Sequence, residues 1–425
     1  MHRILDTTWR HLPTIASHYA FTQDRRGQTA YRALRGPEYG RALRALVDEA
    51  GVRGLALQRG GDWSVRAGAT VVASGGCAFL SRLLGADNNT GDGALMAAEA
   101  GAELSGMEFT NAYCIAPAHS SMTRAMSYVF ATYYDESGRE LPIPPGPNNT
   151  PALARALLQG KVYCTLARMP QDLREALPTI SPNVMLPFTR VGIDPFTDRF
   201  EVTLRAEGTV RGIGGLRVAN DNCETTVQGL FVAGDAASRE LVTGAISGGG
   251  NVNSASALSS GLYAGRAAAT RARSDGRRSD EPAEAAGQAA LRPLRHAAPV
   301  DRGAAVAAVQ RGLLDYDRNI FRDAAGLNDS LLHIDAAWRD FSDHADGGSA
   351  PPTTRLRLRE TAALLANARW SVGSALQREE SRGMHRRTDA PQTRAEFAHR
   401  IAVGGLRRVW HRADPVPAES LEVAA

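Results

Sequence analysis

The sequence predicts an α/β fold that carries an inserted α+β domain and a helical C-terminal region. Residues 69–73 and 230–233 are short apolar runs that each end in a glycine turn, as strands of a parallel sheet do. Residues 107–206 contain clustered aromatic residues and repeated prolines, which interrupt long helices. Residues 313–346 and 353–382 place apolar residues at helical spacing. The insertion therefore divides the α/β part in sequence.

The same patterns divide the rest of the chain. An N-terminal stretch is predicted to be mainly helical and to be followed by a strand at 54–58, and the polar tail from residue 389 is predicted to be irregular. The predicted segments are 1–53, helical; 54–106, the first part of the α/β domain; 107–206, the inserted domain; 207–268, the second part of the α/β domain; 269–312, a linker rich in alanine and arginine; and 313–425, a helical C-terminal domain.

Composition excludes several classes of protein. The 425 residues are 43% hydrophobic and 22% charged, which is ordinary for a globular protein. The net charge of +4 is spread along the chain without a basic stripe, which argues against nucleic-acid binding. No apolar run suits a bilayer span or a signal peptide, so we expect a cytoplasmic protein without direct membrane insertion. The four cysteines lack a C-x-x-C pair, so neither disulfides nor a metal site are expected.

Residues 222–235 have the pattern of a cofactor-binding loop. They predict a turn, a strand, and then Gly234 and Asp235 at the carboxyl end of the strand, after which small residues lead to a helix that opens over 251–255. Glycines let a ligand approach the backbone, and the free N–H groups of a helix start attract anions. The pattern suits a large, polar, anionic cofactor. An ordinary loop with a solvent-facing Asp235 is the alternative.

A second candidate loop follows the strand at 69–73. Ser74 and Gly75 begin its glycine turn, and Asp92 lies in the first turn of a predicted helix that Thr90 is placed to cap. A carboxylate there also interacts favourably with the helix dipole, and that structural role alone is the alternative for Asp92.

Three groups of motifs resemble the succinate dehydrogenase/fumarate reductase flavoprotein family. They cover residues 54–109, 207–268 and 355–391, in the order that the family has. The motifs are Val71-Val72-Ala73-Ser74-Gly75-Gly76 and Thr90-Gly91-Asp92-Gly93, then Ile213-Gly214-Gly215-Leu216 and Gly229-Leu230-Phe231 with Gly234-Asp235, and finally the run from Arg378 to Asp389. Each motif is weak alone, and their order and spacing carry the resemblance.

This resemblance implies an incomplete FAD-binding Rossmann-like domain in an oxidoreductase. Asp235 stands where the family normally has glutamate, and it is placed to accept hydrogen bonds from a ribose. Ser254 and Ala255 match the helix-start pair whose amides stabilise negative charge on the reduced flavin. The residues that match family flavin contacts are Ser74, Gly75, Asp92, Asp235, Ser254 and Ala255.

The chain also departs from the family pattern. It has no Gly-x-Gly-x-x-Gly, the segment that binds the FAD pyrophosphate, so we expect an N-terminally shortened chain with an unpaired sheet edge. The histidine that tethers FAD lies in the same missing segment, so FAD is expected to be non-covalent. In the dicarboxylate site, the two histidines and two arginines of the family are replaced by Tyr113, Val210, Ser127 and Ser247.

The catalytic candidates lie in the inserted domain. Its pocket is predicted to be neutral and aromatic, with Tyr113 as the candidate acid or hydrogen-bond donor and Arg124 as the nearest guanidinium. Packing within the inserted domain is the favoured alternative for Tyr113. Residues 378–385 are interpreted as structural ion pairs, with Arg378 and Arg382 on one helix face.

The predicted function is therefore FAD-dependent hydride transfer to or from an unidentified small molecule other than a dicarboxylate. The alternative is a truncated, non-catalytic flavoprotein remnant or partner subunit that does not bind FAD tightly. The sequence does not name an electron-transfer partner.

Overall fold

The computed structural model describes residues 21–23, 29–31, 67–123, 125–144, 149–247, 249–274, 287, 289–290, 294, 296–347 and 350–415. Its strands are β1 (Phe21–Gln23), β2 (Thr29–Tyr31), β3 (Thr70–Val72), β4 (Leu104–Ser105), β5 (Tyr113–Pro117), β6 (Thr132–Tyr134), β7 (Glu140–Leu141), β8 (Val162–Thr165), β9 (Phe200–Ala206), β10 (Gly215–Leu216), β11 (Leu230–Val232), β12 (His399–Gly404) and β13 (Trp410–Pro415). Its α-helices are α1 (Asp92–Glu99), α2 (Asn149–Leu157), α3 (Gln171–Ile180), α4 (Pro182–Val191), α5 (Gly208–Arg211), α6 (Glu240–Thr243), α7 (Gly249–Ser274), α8 (Arg302–Leu313), α9 (Tyr316–Asn319), α10 (Ala324–His344) and α11 (Pro352–Gln377).

Two parallel strands form the part of the α/β domain that positions the candidate site. β3 and β11 pair with Phe231 opposite Val71 and Val232 opposite Val72. Helix α7 packs on both strands and buries Phe231 against Ala264. Both strand predictions are confirmed, and the α/β fold class with them. Because the strands are parallel, their carboxyl ends reach the same edge.

The inserted region folds around an antiparallel sheet with the strand order β5-β9-β8-β6-β7. In β9, Phe200, Val202 and Leu204 are buried, whereas the residues between them are partly exposed. This period of two residues buries one face of the sheet. Helices α2, α3 and α4 contribute apolar side chains to the same core, so the inserted region has a core of its own.

Long helices build the C-terminal region, as predicted. Asp323 caps α10, since its carboxylate accepts from the Gly326 amide (2.6 Å), and the helix buries Ile334, Trp338 and Phe341 on one face. Burying each such side chain stabilises the fold by about 1.5–3 kcal/mol. α11 is buried on all sides over residues 362–366, since it lies between α1, α8 and α10. Its apolar residues therefore occur all round the helix.

The last described residues form strands, so the predicted irregular tail is wrong. β12 pairs with β13 and with β4, which completes a sheet in the order β10-β4-β12-β13. Ile401, Ala402 and Val403 are buried there. The apolar run is only three residues long, and its partner β4 is distant in sequence. Local pattern alone therefore does not reveal it.

Two further predictions need correction. β1 and β2 form an antiparallel hairpin where helix was predicted, and the rest of 1–53 and the strand at 54–58 lie outside the described residues. The predicted linker 269–312 is helical at both ends, because α7 continues to Ser274 and α8 begins at Arg302. Among the described helices, none combines the length and the apolar character that a bilayer span requires.

Candidate active site

The candidate site lies at the carboxyl ends of β3 and β11. The Ala233 amide donates to the Val72 carbonyl (2.9 Å), so the segments that follow the two strands begin side by side. Ser74 is exposed, and Gly75 has a φ of 78°, a conformation that favours glycine. Asp235 opens a short 3₁₀ turn after β11. Ser74, Gly75 and Asp235 therefore lie along one edge of the sheet.

Asp92 begins α1 beside the end of β3. The residue before the helix is Gly91 (φ 83°), and no side chain caps the helix. The Thr90 hydroxyl donates to the Asp92 carboxylate and accepts from no helix amide, so the predicted cap is wrong. Gly93 packs on Ser74, whose Cβ lies 2.9 Å from where a Cβ on Gly93 would stand. The close contact holds Asp92 near the sheet edge.

Asp235 is paired with a buried arginine. Arg239 Nη1 donates to Asp235 Oδ1 (2.6 Å), and Arg239 Nη2 donates to the carbonyls of Val210 and Gly212. Burial raises the pKa of the Asp235 carboxyl group, whereas Arg239 and Arg211 act to lower it. Its Oδ2 accepts no hydrogen bond from the described residues, and the side chain is 29% exposed. One carboxylate oxygen is thus available to a ligand.

The helix start of the candidate site lies earlier than predicted. α7 begins at Gly249, so its free amides belong to residues 249–252, and Ser254 and Ala255 lie in the next turn. The placement of Ser254 and Ala255 at the helix start is wrong because Gly249 and Gly250 are themselves helical. Asn253 is buried, and its Oδ1 has no hydrogen-bond partner among the described residues. Such an orphan acceptor costs about 1–3 kcal/mol unless a bound group supplies a donor.

A cleft of about 500 Å³ opens between the inserted region and the segment that follows α11. Its lining includes Glu207, Arg211 and Arg386. The predicted neutral, aromatic pocket is therefore wrong, because three charged side chains border the space. Ile246 and Ser247 also line it, immediately before α7, so the cleft adjoins the helix start.

Glu207 is the buried carboxylate of the cleft wall, with a side chain that is 2% exposed. Thr123 Oγ1 donates to its Oε1 (2.9 Å), and Cys114 Sγ donates to its Oε2 (3.0 Å). Arg211 Nη1 lies 3.8 Å from Oε1, too far for a hydrogen bond. Sequence reasoning missed Glu207, although an acid directly after an alternating strand and before Gly208 was a usable signal.

Asn111 adds an unpaired acceptor to the same cleft. Its Nδ2 donates to the carbonyl of Met384, which fixes the amide orientation because only the nitrogen can donate. Its Oδ1 is buried, and no described residue donates to it. The cleft wall therefore carries two kinds of acceptor, a carboxylate and an amide oxygen.

The two predicted catalytic residues have different outcomes. The Tyr113 hydroxyl donates to the Leu314 carbonyl (3.0 Å) and accepts from Asn319 Nδ2 (3.1 Å), so it is engaged at the carboxyl end of α8. Burial raises the pKa of Tyr113 well above its usual value. These contacts favour the packing alternative. Arg124 lies outside the described residues.

Buried ion pairs connect the segment after α11 to the rest of the protein. Arg378 lies 2.8 Å from Glu108 and 3.0 Å from Glu380, and Arg382 lies 2.6 Å from Glu380. Burial and neighbouring arginines lower the pKa of His385, so it stays neutral. The interpretation as structural ion pairs agrees with this geometry. The predicted shared helix face does not, because α11 ends at Gln377 and both arginines follow it.

Comparison with known proteins identifies the family to which this fold belongs. Residues 311–412 match a family model described as the fumarate reductase flavoprotein C-terminal region. An L-aspartate oxidase from Rhodospirillum rubrum is 30% identical over 274 residues, which cover 64% of this chain and 86% of that protein. The chain belongs to the succinate dehydrogenase/fumarate reductase flavoprotein family. FAD is the cofactor of this flavoprotein family.

Other family members share the fold over a large part of the chain. An uncharacterised FAD-dependent oxidoreductase of Methanocaldococcus jannaschii is 26% identical over 84% of this chain, which spans 66% of that relative. An E. coli quinol fumarate reductase superposes with a TM-score of 0.63 at 22% identity, over 82% of this chain and 65% of the other. Mycobacterium smegmatis Sdh1 superposes with a TM-score of 0.69 at 21% identity, over 98% of this chain and 83% of the other.

The residues at the sheet edge fit a flavin cofactor. Asp235 keeps one carboxylate oxygen for a hydroxyl group, and Asn253 presents a buried oxygen that lacks a donor. The first amides of α7 have no acceptor within the helix, so they are available to an anionic group. A flavin carries both the donors and the anionic character that this arrangement accommodates.

The positions of the replaced dicarboxylate residues differ in their surroundings. Ser247 borders the cleft, and Val210 packs on a small apolar cluster that contains Ala78 and Leu83. Ser127 is buried, and its hydroxyl has no partner among the described residues. None of these three side chains carries the charge needed to clamp a carboxylate.

Proposed function

We propose that this protein is an oxidoreductase that binds FAD non-covalently at the sheet edge and oxidises or reduces a small molecule in the adjoining cleft. The cofactor supplies hydride transfer when it is bound. The chain's own residues hold the cofactor, orient the substrate and keep water away from the reacting atoms.

One observation carries this proposal: a single arginine connects the sheet edge with the cleft. Arg211 lines the cleft 3.8 Å from Glu207, and the carbonyl of Val210, the residue before it, accepts from Arg239, which pairs with Asp235. The two sites are therefore neighbours. Hydride transfer requires this arrangement, because donor and acceptor atoms must come into near contact.

The roles within the cofactor site follow from the geometry. Asp235 accepts from ribose hydroxyls through Oδ2, and Arg239 holds the carboxylate in place through Oδ1. The amides of residues 249–252 stabilise negative charge on the flavin ring. Ser74, Gly75 and Asp92 line the other side of the sheet edge.

We propose a substrate other than a dicarboxylate. Tyr113, Val210, Ser127 and Ser247 replace the two histidines and two arginines that the family resemblance assigns to dicarboxylate binding. Arg211 and Arg386 still give the cleft positive charge. That charge suits a substrate with one anionic group.

Purification of the chain, followed by absorbance spectroscopy and denaturation of the protein, tests the proposal. We expect a flavin spectrum at close to one flavin per chain, and release of free FAD on denaturation. Release without covalent attachment supports the non-covalent assignment. Protein that stays colourless after incubation with excess FAD contradicts the proposal and favours a remnant that does not bind FAD tightly.

A further inference from the structure

Glu207 differs from the other buried carboxylates in how it is paired. Glu99, Glu108 and Glu380 have side chains that are at most 2% exposed, and each lies within 3.0 Å of an arginine nitrogen. Glu207 is equally buried, yet the nearest arginine nitrogen among the described residues is 3.8 Å away, and its hydrogen bonds come from a hydroxyl and a thiol. An under-paired buried carboxylate is unfavourable unless something else binds it.

The location of this carboxylate indicates what binds it. Glu207 lines the cleft, whereas Glu108 and Glu380 belong to the network after α11. Asn111 lines the same cleft with an amide oxygen that no described residue satisfies. Both groups accept hydrogen bonds, and both lack a strong donor. A ligand with a donor group would complete them.

The cleft also contains cationic side chains, which require an anionic partner. Arg386 is exposed and forms no salt bridge with the described residues, and Arg211 is only loosely paired. Guanidinium groups in such a position bind carboxylates or other anions. The cleft therefore offers acceptors on one part of its wall and cations on another.

We propose that Glu207 and Asn111 form a subsite that binds a hydrogen-bond-donating group of the substrate, a hydroxyl or an ammonium, while Arg386 binds its anionic group. This inference rests on the proposed function, because it assigns the substrate class of the same cleft: small acids that carry a donor group. Glu207 contacts the substrate and determines specificity.

Calorimetric titration with matched acids tests the subsite. The full-length chain, with FAD where it retains it, is titrated with propionate, lactate and alanine, and with butyrate and its 2-hydroxy and 2-amino derivatives. We expect the hydroxy or the amino form to bind roughly tenfold or more tightly than the unsubstituted acid, since a bond to a charged group is worth that much. The two substituted series show which donor the subsite takes.

Glu207→Gln should reduce this preference severalfold, because an amide oxygen accepts a weaker hydrogen bond than a carboxylate does. Glu201→Gln is the matched control, because Glu201 lies on β9, the strand that ends just before Glu207, with a side chain that is 37% exposed and paired with Lys161. If Glu207→Gln does not fold, Glu207→Asp serves in its place, and a shortened carboxylate should reduce the preference. Thermal unfolding checks that each variant is folded.

Three results overturn the inference: equal binding of all three forms, a preference that Glu207→Gln leaves unchanged, or no binding of any acid at millimolar concentration. The flavin content of the same samples separates this failure from that of the proposed function. A preparation that holds FAD and shows no preference refutes the subsite alone. A preparation without FAD that keeps the preference refutes the cofactor proposal alone.

Discussion

The ion-pair network after α11 and the wall of the cleft both contain buried charged groups, but they differ in how these groups are paired. The network consists of Glu108, Arg378, Glu380 and Arg382. In the network, Arg378 contacts Glu108 and Glu380 at 2.8 and 3.0 Å, and Arg382 adds a second arginine to Glu380. On the cleft wall, no arginine of the described residues lies within hydrogen-bond distance of Glu207. Close pairing with arginine makes the network part of the structure, whereas a carboxylate without a close cation leaves the wall able to bind a ligand.

The largest effect should come from the network itself. Arg378→Met leaves Glu108 and Glu380, both with fully buried side chains, without their shared partner. We expect a loss of about 3–5 kcal/mol in the free energy of unfolding, measured with urea. Arg168→Met removes an exposed pair with Glu140 and should have little effect. A loss below about 1 kcal/mol for Arg378→Met would show that the network is dispensable.

Asp235 combines the two kinds of pairing. Arg239 pairs with one of its carboxylate oxygens, and no described residue donates to the other. Asp235→Asn keeps an acceptor for Arg239 and removes the charge-assisted bonds to the cofactor. We expect the dissociation constant of FAD to rise roughly 10- to 100-fold, measured by equilibrium dialysis. Asp221→Asn, at an exposed position, is the control. Unchanged FAD affinity in Asp235→Asn would remove Asp235 from the cofactor site.

Glu240 provides a pH-dependent test of incomplete pairing. Burial, and the nearby charge of Glu108, raise its pKa from 4.5 to about 7. Because the folded-state value is the higher one, the folded protein binds more protons between these values, and the free energy of unfolding should fall as pH rises from 4.5 to 7. The half-buried side chain limits the change to about 1–3 kcal/mol.

Glu240→Gln should flatten this part of the stability curve, measured by urea unfolding at a series of pH values. The Asp389 carboxyl, whose pKa Arg387 lowers to about 2, acts in the opposite direction and only at lower pH. The two contributions are therefore separable. A curve that keeps its slope in Glu240→Gln would assign the slope to another group.

Tyr113 should give the smallest effect, because this cleft residue has a fully paired hydroxyl. Tyr113→Phe removes its bonds to the Leu314 carbonyl and Asn319 and should cost about 1 kcal/mol of stability. The pH dependence of kcat should not change, since the hydroxyl does not act as an acid. A new or missing ionisation in the kcat profile would restore the catalytic role that the sequence suggested.

Local patterns predicted the elements whose signals are contained in one segment. The strands at β3 and β11 follow from apolar runs that end in glycine turns, and α10 follows from its 3.6-residue period. Patterns failed for β12, because its partner β4 lies far away in sequence. They also failed at the start of α7, where Gly249 and Gly250 are helical although glycine has poor helix propensity.

The sequence by itself determined the family, the α/β fold class and the residues along the sheet edge. These properties are carried by motifs that are short, local and ordered along the chain. Only the tertiary structure decided the cleft. Its polar lining comes from separate segments of the chain: Asn111, Glu207, Arg211 and Arg386. These side chains can act on one ligand only because the fold brings them to the same cleft. Whether a buried charge is paired depends on distances across the fold, which no single stretch of sequence contains.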